Sequence, residues 1–489
     1  MKRNIVMANM LATLLPALFV AGCASTGPDE ASFAKLPATD IARQALPAND
    51  GWGAEGSGTT GGAAARSGDI YTVSTRKQFV DAIKRSGNDP KIIRVQGTIN
   101  LSTDDSGREL FAKDYADPAY DFEAYKKAYD PNMWNRQPLV NGKPPTANGA
   151  LQDAQRRSYL KQHNVIQVLI PSNTTIIGIG KDAKIIKGNL YLDKGVDNII
   201  IRNIAFEDAF DYFPWWNAGD TYSTNPAGVP GHTVTGCQDS FVDDTHGPHR
   251  CNGGRWNAEY DNISLKGATH VWIDHCTFSD GERIDKLFPP NYALPYNQPE
   301  QKVAHHDGLL DITNESNYVT VSNNYFFNHD KTTLVGSGDN QPADAGKLKV
   351  TFHHNLYENI RQRQQLVRYG QVHSYNNLYI GARTDRPYLL SYIFGLGNSA
   401  KLVAENNVFQ LSDDVKPAEL LYFFHPTAAM VDKGSLLNGK PVELVKTFNA
   451  SGTSKISEDV GWTPVMVSKL LPSGEVSAYV KENAGAGKL

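Results

Sequence analysis

Acidic and basic side chains concentrate in three short segments of this 489-residue chain. The segments are residues 260–263, 305–311 and 363–373. Asp307 and Asp311 fall in the second segment, and Arg363 and Arg368 fall in the third. These residue types supply acid–base catalysis, oxygen ligands for a metal ion, or charge for binding an ionic substrate. The alternative interpretation is that the acids only cap turns.

Histidine catalysis is a second interpretation, because His305, His306 and His373 stand in the same segments. His275 and His354 instead occupy positions of the internal repeat described next, which favours a structural role for both. The sequence contains no CxxC pair and no histidine spacing typical of zinc sites. We therefore reject histidine catalysis for most of these residues and expect no zinc.

The elements that must position these residues follow from an internal repeat. Its segments all end in an aromatic residue: Phe206, Phe278, Phe326, Tyr357, Tyr379 and Phe409. The position three residues earlier is always Asn or His, and the position after it is mostly Asn. Asparagine tolerates the left-handed backbone of a tight corner, and its amide can bond the coils on either side. The later repeats recur every roughly 20 to 30 residues, which is typical of one coil of a parallel β-helix.

The remaining pattern favours an all-β chain. After about residue 165, short β-branched runs alternate with Asn, Asp and Gly. Helical periodicity is confined to residues 76–85, 121–129 and 154–159. We predict a right-handed, single-stranded parallel β-helix, with short helices in an N-terminal insertion that covers one end or side of the coil. A β-sandwich with incidental Asn-Asn turns would not keep an aromatic at a fixed offset.

Several motifs together resemble the pectate lyase family. They are VWIDHCTF, DGLLDIT, YFFNHDKTTLVG, NIRQRQQLVRYGQVHSYNN, GWTP and NAGAGKL. The likeness runs from about residue 50 to the end of the chain. It implies the pectin lyase-like fold and cleavage of α-1,4-polygalacturonate (pectate) by β-elimination, which leaves 4,5-unsaturated oligogalacturonides.

The resemblance also implies roles for individual residues. Three acids match the family's calcium ligands, and they are Asp261, Asp307 and Asp311. Arg363 matches the catalytic arginine, and Lys331 and Arg368 match the basic residues that bind substrate carboxylates. Calcium prefers several oxygen ligands, so carboxylates on neighbouring coils can hold Ca²⁺ and leave positions open for uronate oxygens.

The implied reaction removes the C5 proton of a galacturonate unit. Calcium, Lys331 and Arg368 would neutralise the C6 carboxylate and stabilise the developing charge. Arg363 would take the proton, although arginine normally stays charged, with a pKa above about 12. The family usually has proline at the third position of the six-residue arginine motif, where this chain has Gln365. We expect a less rigid turn at the catalytic arginine as a result.

Three alternative functions use the same kind of coil. A pectin lyase acts on esterified polymer without calcium, and the retained aspartates disfavour it. A polygalacturonase-like hydrolase needs a separate group of aspartates to activate water, which the sequence does not show. A non-catalytic polysaccharide binder would not require the matched pair Arg363 and Lys331.

Charge constrains the partners. The formal net charge of −4 argues against a general nucleic-acid binder. A polyanionic substrate remains compatible with this charge, because a metal ion and clustered cations reverse the field of one cleft. We expect a monomer whose partner is polygalacturonate, with membrane contact only through a lipid anchor.

The N-terminus predicts export. A short basic start and an apolar run are followed by Val-Ala-Gly-Cys, which resembles a bacterial lipobox ending at Cys23. We predict a lipoprotein signal peptide over residues 1–23, a flexible tether over 24–45 and the catalytic domain over 46–489. Ala24 favours an outer-membrane lipoprotein in the cell envelope. The alternative is an ordinary signal peptide of a secreted protein.

The other cysteines would then meet oxidising conditions. Cys237 and Cys251 lie in one loop-like stretch and are candidates for a disulfide. Cys276 lies inside an apolar strand pattern, and we predict a buried free thiol there.

Overall fold

The computed structural model contains one large folded unit, Ile41–Leu489. The described residues are 40–130, 147–223, 241–243, 247–249, 252–289, 292 and 302–489. Cys23 and the predicted signal peptide lie outside them, as do Cys237 and Cys251. Among the described residues, no helix combines the length and apolar character that crossing a membrane requires.

Three long sheets built from parallel strands form the body. The first contains Ile70–Val73, Lys91–Val95, Thr174–Gly178, Asp197–Arg202, Thr269–Asp274, Asn317–Ser322, Lys349–His353, Gln371–Tyr375, Lys401–Glu405 and Ala429–Lys433. The second contains Thr98–Asn100, Lys184–Ile186, Ala205–Glu207, Thr277–Ser279, Tyr325–Lys331, Leu356–Gln362, Leu378–Gly381, Val408–Leu411, Leu436–Leu437 and the antiparallel Lys440–Pro441. The third contains Gln167–Leu169, Asn189–Leu192, Ile263–Lys266, Leu310–Thr313, Leu334–Val335, Gln365–Val367, Phe394–Leu396 and Leu421–Phe423. Each middle coil adds one strand to every sheet, which confirms the predicted all-β parallel β-helix.

The smaller elements lie around this body. Two antiparallel pairs join Trp215–Ser223 to Asn252–Asn257 and Phe241–Asp243 to Gly247–His249. Within the described ranges, the helices are Arg76–Lys84, Ala112–Tyr115, Phe122–Ala128, Ala150–Ile166, Leu444–Ser451 and Ser473–Asn483. Short 3₁₀ turns span Ile41–Arg43, Trp52–Ala54, Ser67–Asp69, Asp285–Leu287, Pro342–Asp344 and Pro417–Leu420. Three of the helices fall in the predicted N-terminal insertion.

The repeated asparagines form a hydrogen-bonded ladder at one corner of the coil. Asn324 Nδ2 donates to Asn355 Oδ1, Asn355 Nδ2 to Asn377 Oδ1, and Asn377 Nδ2 to Asn407 Oδ1, each at 3.0 to 3.1 Å. The residues before these positions have positive φ, from 49° to 57°: Asn203, His275, Asn323, His354, Asn376 and Asn406. The predicted left-handed corner and the predicted structural role of His275 and His354 are confirmed.

The aromatic column fills the interior. Adjacent rings stack nearly parallel, with centroids 4.9 to 5.2 Å apart, from Phe206 through Phe278, Phe326, Tyr357 and Tyr379 to Phe409. Cys276 is buried in the same core as a free thiol, as predicted. The column fixes the register of successive coils, because a slip of one residue would turn every ring outward.

The chain begins to pack before residue 46, where the predicted domain starts. Ala42 and Leu46 are buried. Arg43 donates to the carbonyl oxygens of Ala63 and Ala65, at 2.6 and 2.8 Å. Residues 41–45 therefore belong to the folded body, and the tether stays a prediction for the residues before Ile41.

Candidate functional site

Most of the predicted site residues lie at one corner of consecutive coils, where the strands of the third sheet begin. They are Asp261, Asp307, Asp311, Lys331 and Arg363. Three backbone hydrogen bonds join these coils: Asp307 N to Tyr260 O at 3.2 Å, Leu310 N to Thr332 O at 3.1 Å and Thr333 N to Arg363 O at 2.8 Å. Parallel strands start at the same edge of a sheet, so the coil brings residues distant in sequence into one cluster.

Asp261 and Asp311 meet around Gly308. Gly308 N donates to Asp261 Oδ1 at 2.8 Å, and Ser264 Oγ donates to Asp261 Oδ2 at 2.6 Å. Leu334 N donates to Asp311 Oδ1 at 3.0 Å. A Cβ at Gly308 would lie 2.6 Å from Asp311 Oδ1 and 2.8 Å from Asp261 Oδ1. Glycine is required here because a side chain would occupy the space between the two carboxylates.

Asp307 pairs with the predicted substrate-binding lysine. Lys331 Nζ lies 2.8 Å from Asp307 Oδ1. The Asp307 side chain is 33% exposed, whereas that of Lys331 is 7% exposed. The carboxylate therefore faces the solvent-filled cleft while the lysine beneath it holds it in place.

The carboxylates repel one another. Burial raises the pKa of Asp311 well above its ordinary value, and the charges of Asp261 and Asp307 raise it further. Burial, followed by the charge of Asp307, also raises the pKa of Asp261. Burial acts on Asp307 in the same sense, but the nearby Lys331 outweighs it and the pKa is lowered. Such a set of hard oxygen donors fits a divalent cation that prefers oxygen ligands, because the ion would remove this repulsion.

Arg363 stands beside the acids on the next coil. Its backbone is left-handed, with φ of 56°. Burial lowers the pKa of its guanidinium, but Tyr392, Asp307 and Asp311 outweigh burial and raise it. The Tyr392 hydroxyl lies close enough to the guanidinium for each group to shift the pKa of the other, while Nε is buried without a hydrogen-bond partner among the described residues. At least one donor of the guanidinium is therefore left without a partner in the described part of the chain.

Gln365 stands where the family usually has proline, and buried hydrogen bonds hold it in place. Its Nε2 donates to Tyr357 Oη at 2.9 Å, and its Oε1 accepts from Ser374 Oγ at 3.1 Å. Its backbone N–H donates to Ile393 O at 3.3 Å, a bond that proline lacks. The expected loosening of the turn is offset by this fully buried network, so Arg363 keeps a fixed backbone.

An open cleft of about 310 Å³ exposes the site. It is lined by Trp215, Arg255, Asn257, Ala258, Glu259, Asp307, Lys331 and Arg363. The cleft places two cations and one carboxylate of the predicted set on a common surface. Its polar lining suits a charged, extended ligand.

Arg368 lies at the other end of the strand Gln365–Val367. Its Nε is 3.3 Å from Asp339 Oδ2, and its Nη1 donates to Gly336 O at 3.2 Å. Burial lowers the pKa of its guanidinium. The predicted substrate role therefore concerns an arginine that already has a carboxylate partner, unlike Arg363.

His329 connects the site to a buried ion-pair network. Its Nδ1 is 2.6 Å from Asp280 Oδ1, and its Nε2 is 2.8 Å from the backbone oxygen of Asp307 and 3.2 Å from that of Lys331. All these partners are acceptors, so both ring nitrogens carry protons. Burial lowers the pKa of His329, but Asp280 outweighs burial and raises it. A buried imidazolium therefore fixes the backbone of both Asp307 and Lys331.

A second group of metal-ligand types is already neutralised. Asp280, Asp285 and His306 have ligand atoms within 4.8 Å of one another. Lys302 pairs with Asp285, and His329 pairs with Asp280. This group is best explained as a structural ion-pair network, whereas Asp261 and Asp311 have no cation of their own at hydrogen-bond distance among the described residues.

Sequence reasoning missed His329 and Tyr392. His329 stands in the motif YFFNHDKTTLVG beside Lys331, but its buried contact with Asp307 depends on how the coils stack. Tyr392 comes from the following coil, and no spacing in the sequence relates it to Arg363. Both lie next to residues that the motifs do reveal: His329 beside Asp307 and Lys331, and Tyr392 beside Arg363.

Comparisons with known proteins agree with this geometry. A family model described as "Pectate lyase" matches residues 6–126, 145–246 and 249–489. A pectate lyase of Bacillus subtilis (strain 168) is 42% identical over 453 residues, which cover 92% of this chain and 95% of that protein. Pectate lyase E of Dickeya chrysanthemi is 33% identical over 465 residues, which cover 94% of this chain and 91% of that protein. A solved structure titled "Pectate lyase bound to hexasaccharide" is 41% identical with a TM-score of 0.79, covering 92% of this chain and 100% of that one. The chain therefore belongs to the pectate lyase family.

Proposed function

We propose that the protein is a calcium-dependent pectate lyase that cleaves α-1,4-polygalacturonate by β-elimination. The observation that carries the proposal is the convergence of three carboxylates with Lys331 and Arg363 at one corner of the coil. Neither a hydrolase nor a simple binder needs two acids without a cation partner among the described residues, Asp261 and Asp311, on the coils next to a buried arginine. The products would be 4,5-unsaturated oligogalacturonides.

Asp261, Asp307 and Asp311 would hold Ca²⁺. Their oxygen donors and their mutual repulsion fit the ion, as does the small residue Gly308 between two of them. When bound, calcium would neutralise the substrate's C6 carboxylate and make the C5 hydrogen more acidic.

The chain's own residues would carry out the proton transfer. Lys331 and Arg368 would bind uronate carboxylates and orient the sugar. Asp307 and Asp311 contribute to the raised pKa of Arg363, and a bound cation would offset their charges and so increase the fraction of neutral Arg363. The neutral guanidine would accept the C5 proton; the C5–H electron pair forms the C4=C5 double bond, and the C4–O bond breaks towards the leaving oxygen. Tyr392, whose hydroxyl lies near the guanidinium, would help to orient it during this step. A proton from solvent would complete the leaving hydroxyl.

Ultraviolet absorbance of unsaturated uronides tests the reaction. Polygalacturonate and highly esterified pectin are incubated with the full chain, with calcium or with a chelator. We expect absorbance to rise on polygalacturonate only with calcium. Calcium-independent absorbance on esterified pectin would indicate a pectin lyase, and new reducing ends without absorbance would indicate a hydrolase. If neither unsaturated products nor new reducing ends form, the protein only binds the polysaccharide.

We further infer that the protein is exported and anchored by lipid at Cys23. The support is the basic start, the apolar run and the lipobox-like Val-Ala-Gly-Cys. An outer-membrane location is the finer part of this proposal. Metabolic labelling with palmitate tests it: label should enter the wild type and be absent from Cys23→Ser. Label in neither protein, with a shortened chain released to the medium, would indicate an ordinary signal peptide.

A further inference from the structure

The outer face of the third sheet changes character along the coil. Its register places Leu334 beside Leu366, Leu366 beside Gly395, and Gly395 beside Tyr422. Leu334 N is the donor to Asp311, so this column of outward positions starts at the proposed calcium ligands. It ends on Leu421–Phe423, the edge strand of the sheet. The face thus runs from carboxylates at one end to an aromatic residue at the other.

Three aromatic residues form a patch at that end, and we call Tyr392, Tyr422 and Phe424 the aromatic patch. The rings of Tyr422 and Phe424 are 4.3 Å apart, and that of Tyr392 lies 5.2 Å from Tyr422 and 6.0 Å from Phe424. Tyr422 is 50% exposed and Phe424 42% exposed. Burying these rings against a partner would be favourable, and the fold itself leaves them uncovered.

The patch is continuous with the catalytic arginine. The ring of the buried Tyr392 packs against Tyr422 and Phe424, and its hydroxyl lies near enough to the Arg363 guanidinium for the two groups to interact electrostatically. Gly395 leaves room for this packing: a Cβ there would lie 3.1 Å from Phe424 Cε2 and 3.2 Å from Tyr392 Cε2. Tyr422 is two coils from the strand that follows Arg363, or about 10 Å at the usual strand spacing.

We propose that Tyr422 and Phe424 form a stacking subsite for a galacturonate ring of the polymer, two coils beyond Arg363. The inference rests on the proposed function, because the occupant is the same polyuronate chain that crosses the cleft. A pyranose ring presents an apolar C–H face, which an exposed aromatic ring covers without a charged partner. The chemical class of the ligand is therefore an extended polymer of hexuronic acid.

The position of the patch favours this occupant over others. A polymer lying across the sheet passes the carboxylates, Lys331 and Arg363 before it reaches the patch. Arg368 stands at the far end of the strand that follows Arg363, where it is paired with Asp339. A second copy of this chain would find an apolar surface of only two exposed rings, which is small for a stable interface.

Kinetics of the full chain on polygalacturonate test the subsite. The variants are Tyr422→Ala, Phe424→Ala and their combination, with Tyr422→Phe as the matched variant that keeps the ring. Val465→Ala, at a 77% exposed apolar residue outside the patch, is the control. We expect KM to rise about tenfold in the double variant with kcat unchanged, because uniform binding is lost. Tyr422→Phe and Val465→Ala should match the wild type.

Other outcomes overturn the subsite. An unchanged KM in the double variant would show that no sugar stacks there, and a fall in kcat alone would show that the rings only support Tyr392 and Arg363. A wild-type dimer that the double variant converts to monomer, with the same KM, would assign the patch to self-association. Failure of the proposed function is distinct, because the wild type itself would then give no calcium-dependent absorbance.

Discussion

Two corners of the same coil handle polar groups in opposite ways. At the asparagine corner, Asn324, Asn355 and Asn377 each pass a hydrogen bond to the next coil, and no net charge is buried. At the acidic corner, Asp261 and Asp311 share one space with raised pKa values. The ladder bonds of the first corner are made by the protein alone, whereas a bound cation would relieve the repulsion at the second. The repeated residues form the scaffold, and the proposed functional site consists of charged residues that do not belong to the repeat.

Removing Arg363 should cause the largest effect. Arg363→Ala is expected to lower kcat by about 10³-fold, since general-base catalysis typically contributes 10²- to 10⁴-fold. Initial rates of ultraviolet absorbance on polygalacturonate measure it. Circular dichroism should show an intact fold, because the ladder at the other corner is untouched. A loss of less than tenfold would remove Arg363 from the role of base.

Neutralising one acid should weaken calcium binding but stabilise the calcium-free protein. Asp311→Asn is expected to weaken calcium affinity about 100-fold, because a charged ligand is lost. Without calcium the same variant should be more stable than the wild type, since Leu334 N keeps an acceptor and the repulsion falls. Isothermal calorimetry and thermal unfolding with a chelator measure the two quantities. Unchanged calcium affinity would contradict the assignment of Asp311.

Breaking the asparagine ladder should lower the stability of the protein and leave calcium affinity and kcat unchanged. Asn355→Ala leaves the backbone N–H of Asn324 without its acceptor and removes one hydrogen bond each from the Asn324 amide and the Asn377 oxygen. We expect a loss of about 3 kcal/mol in the free energy of unfolding. Below the melting temperature, kcat and calcium affinity should match the wild type. Denaturant unfolding and calorimetry check both. A selective loss of calcium affinity would show that the corners are coupled.

Acidification should have a smaller effect through His354, whose buried Nε2 has no hydrogen-bond partner among the described residues. Burial lowers the pKa of His354 to about 2 from the ordinary 6.5. The unfolded chain gains this proton as pH falls below 6.5 and the folded chain does not, so stability is lost on acidification. At pH 5 the loss is about 2 kcal/mol relative to pH 7. His354→Asn, which restores the residue used on other coils, should reduce this pH dependence in unfolding experiments. An identical pH dependence would contradict the buried neutral imidazole.

The sequence predicts the scaffold well because each coil repeats the same physical solution. The aromatic column and the Asn corner recur at fixed offsets, so Phe206 to Phe409 reveal the coil without a structure. The sequence also reveals the site residues, because they stand in recognisable motifs: Asp261, Asp307, Asp311, Lys331 and Arg363. Their convergence follows from the fold and not from spacing alone.

Contacts between distant coils could not be predicted. Gln365 was expected to loosen the turn, but its partners Tyr357 and Ser374 come from elsewhere in the coil. His329 and Tyr392 reach the site only after the coils are stacked. The start of the folded body at Ile41 depends on two hydrogen bonds from Arg43 to a loop some twenty residues later in the chain.

A crystal structure of the Arg363→Lys variant with calcium and a hexagalacturonate tests the central claim most directly. We predict an ion bound by Asp261, Asp307 and Asp311, with a uronate carboxylate between that ion and Lys331. An ion held by Asp280, Asp285 and His306, or a sugar bound away from residue 363, would contradict the proposed site.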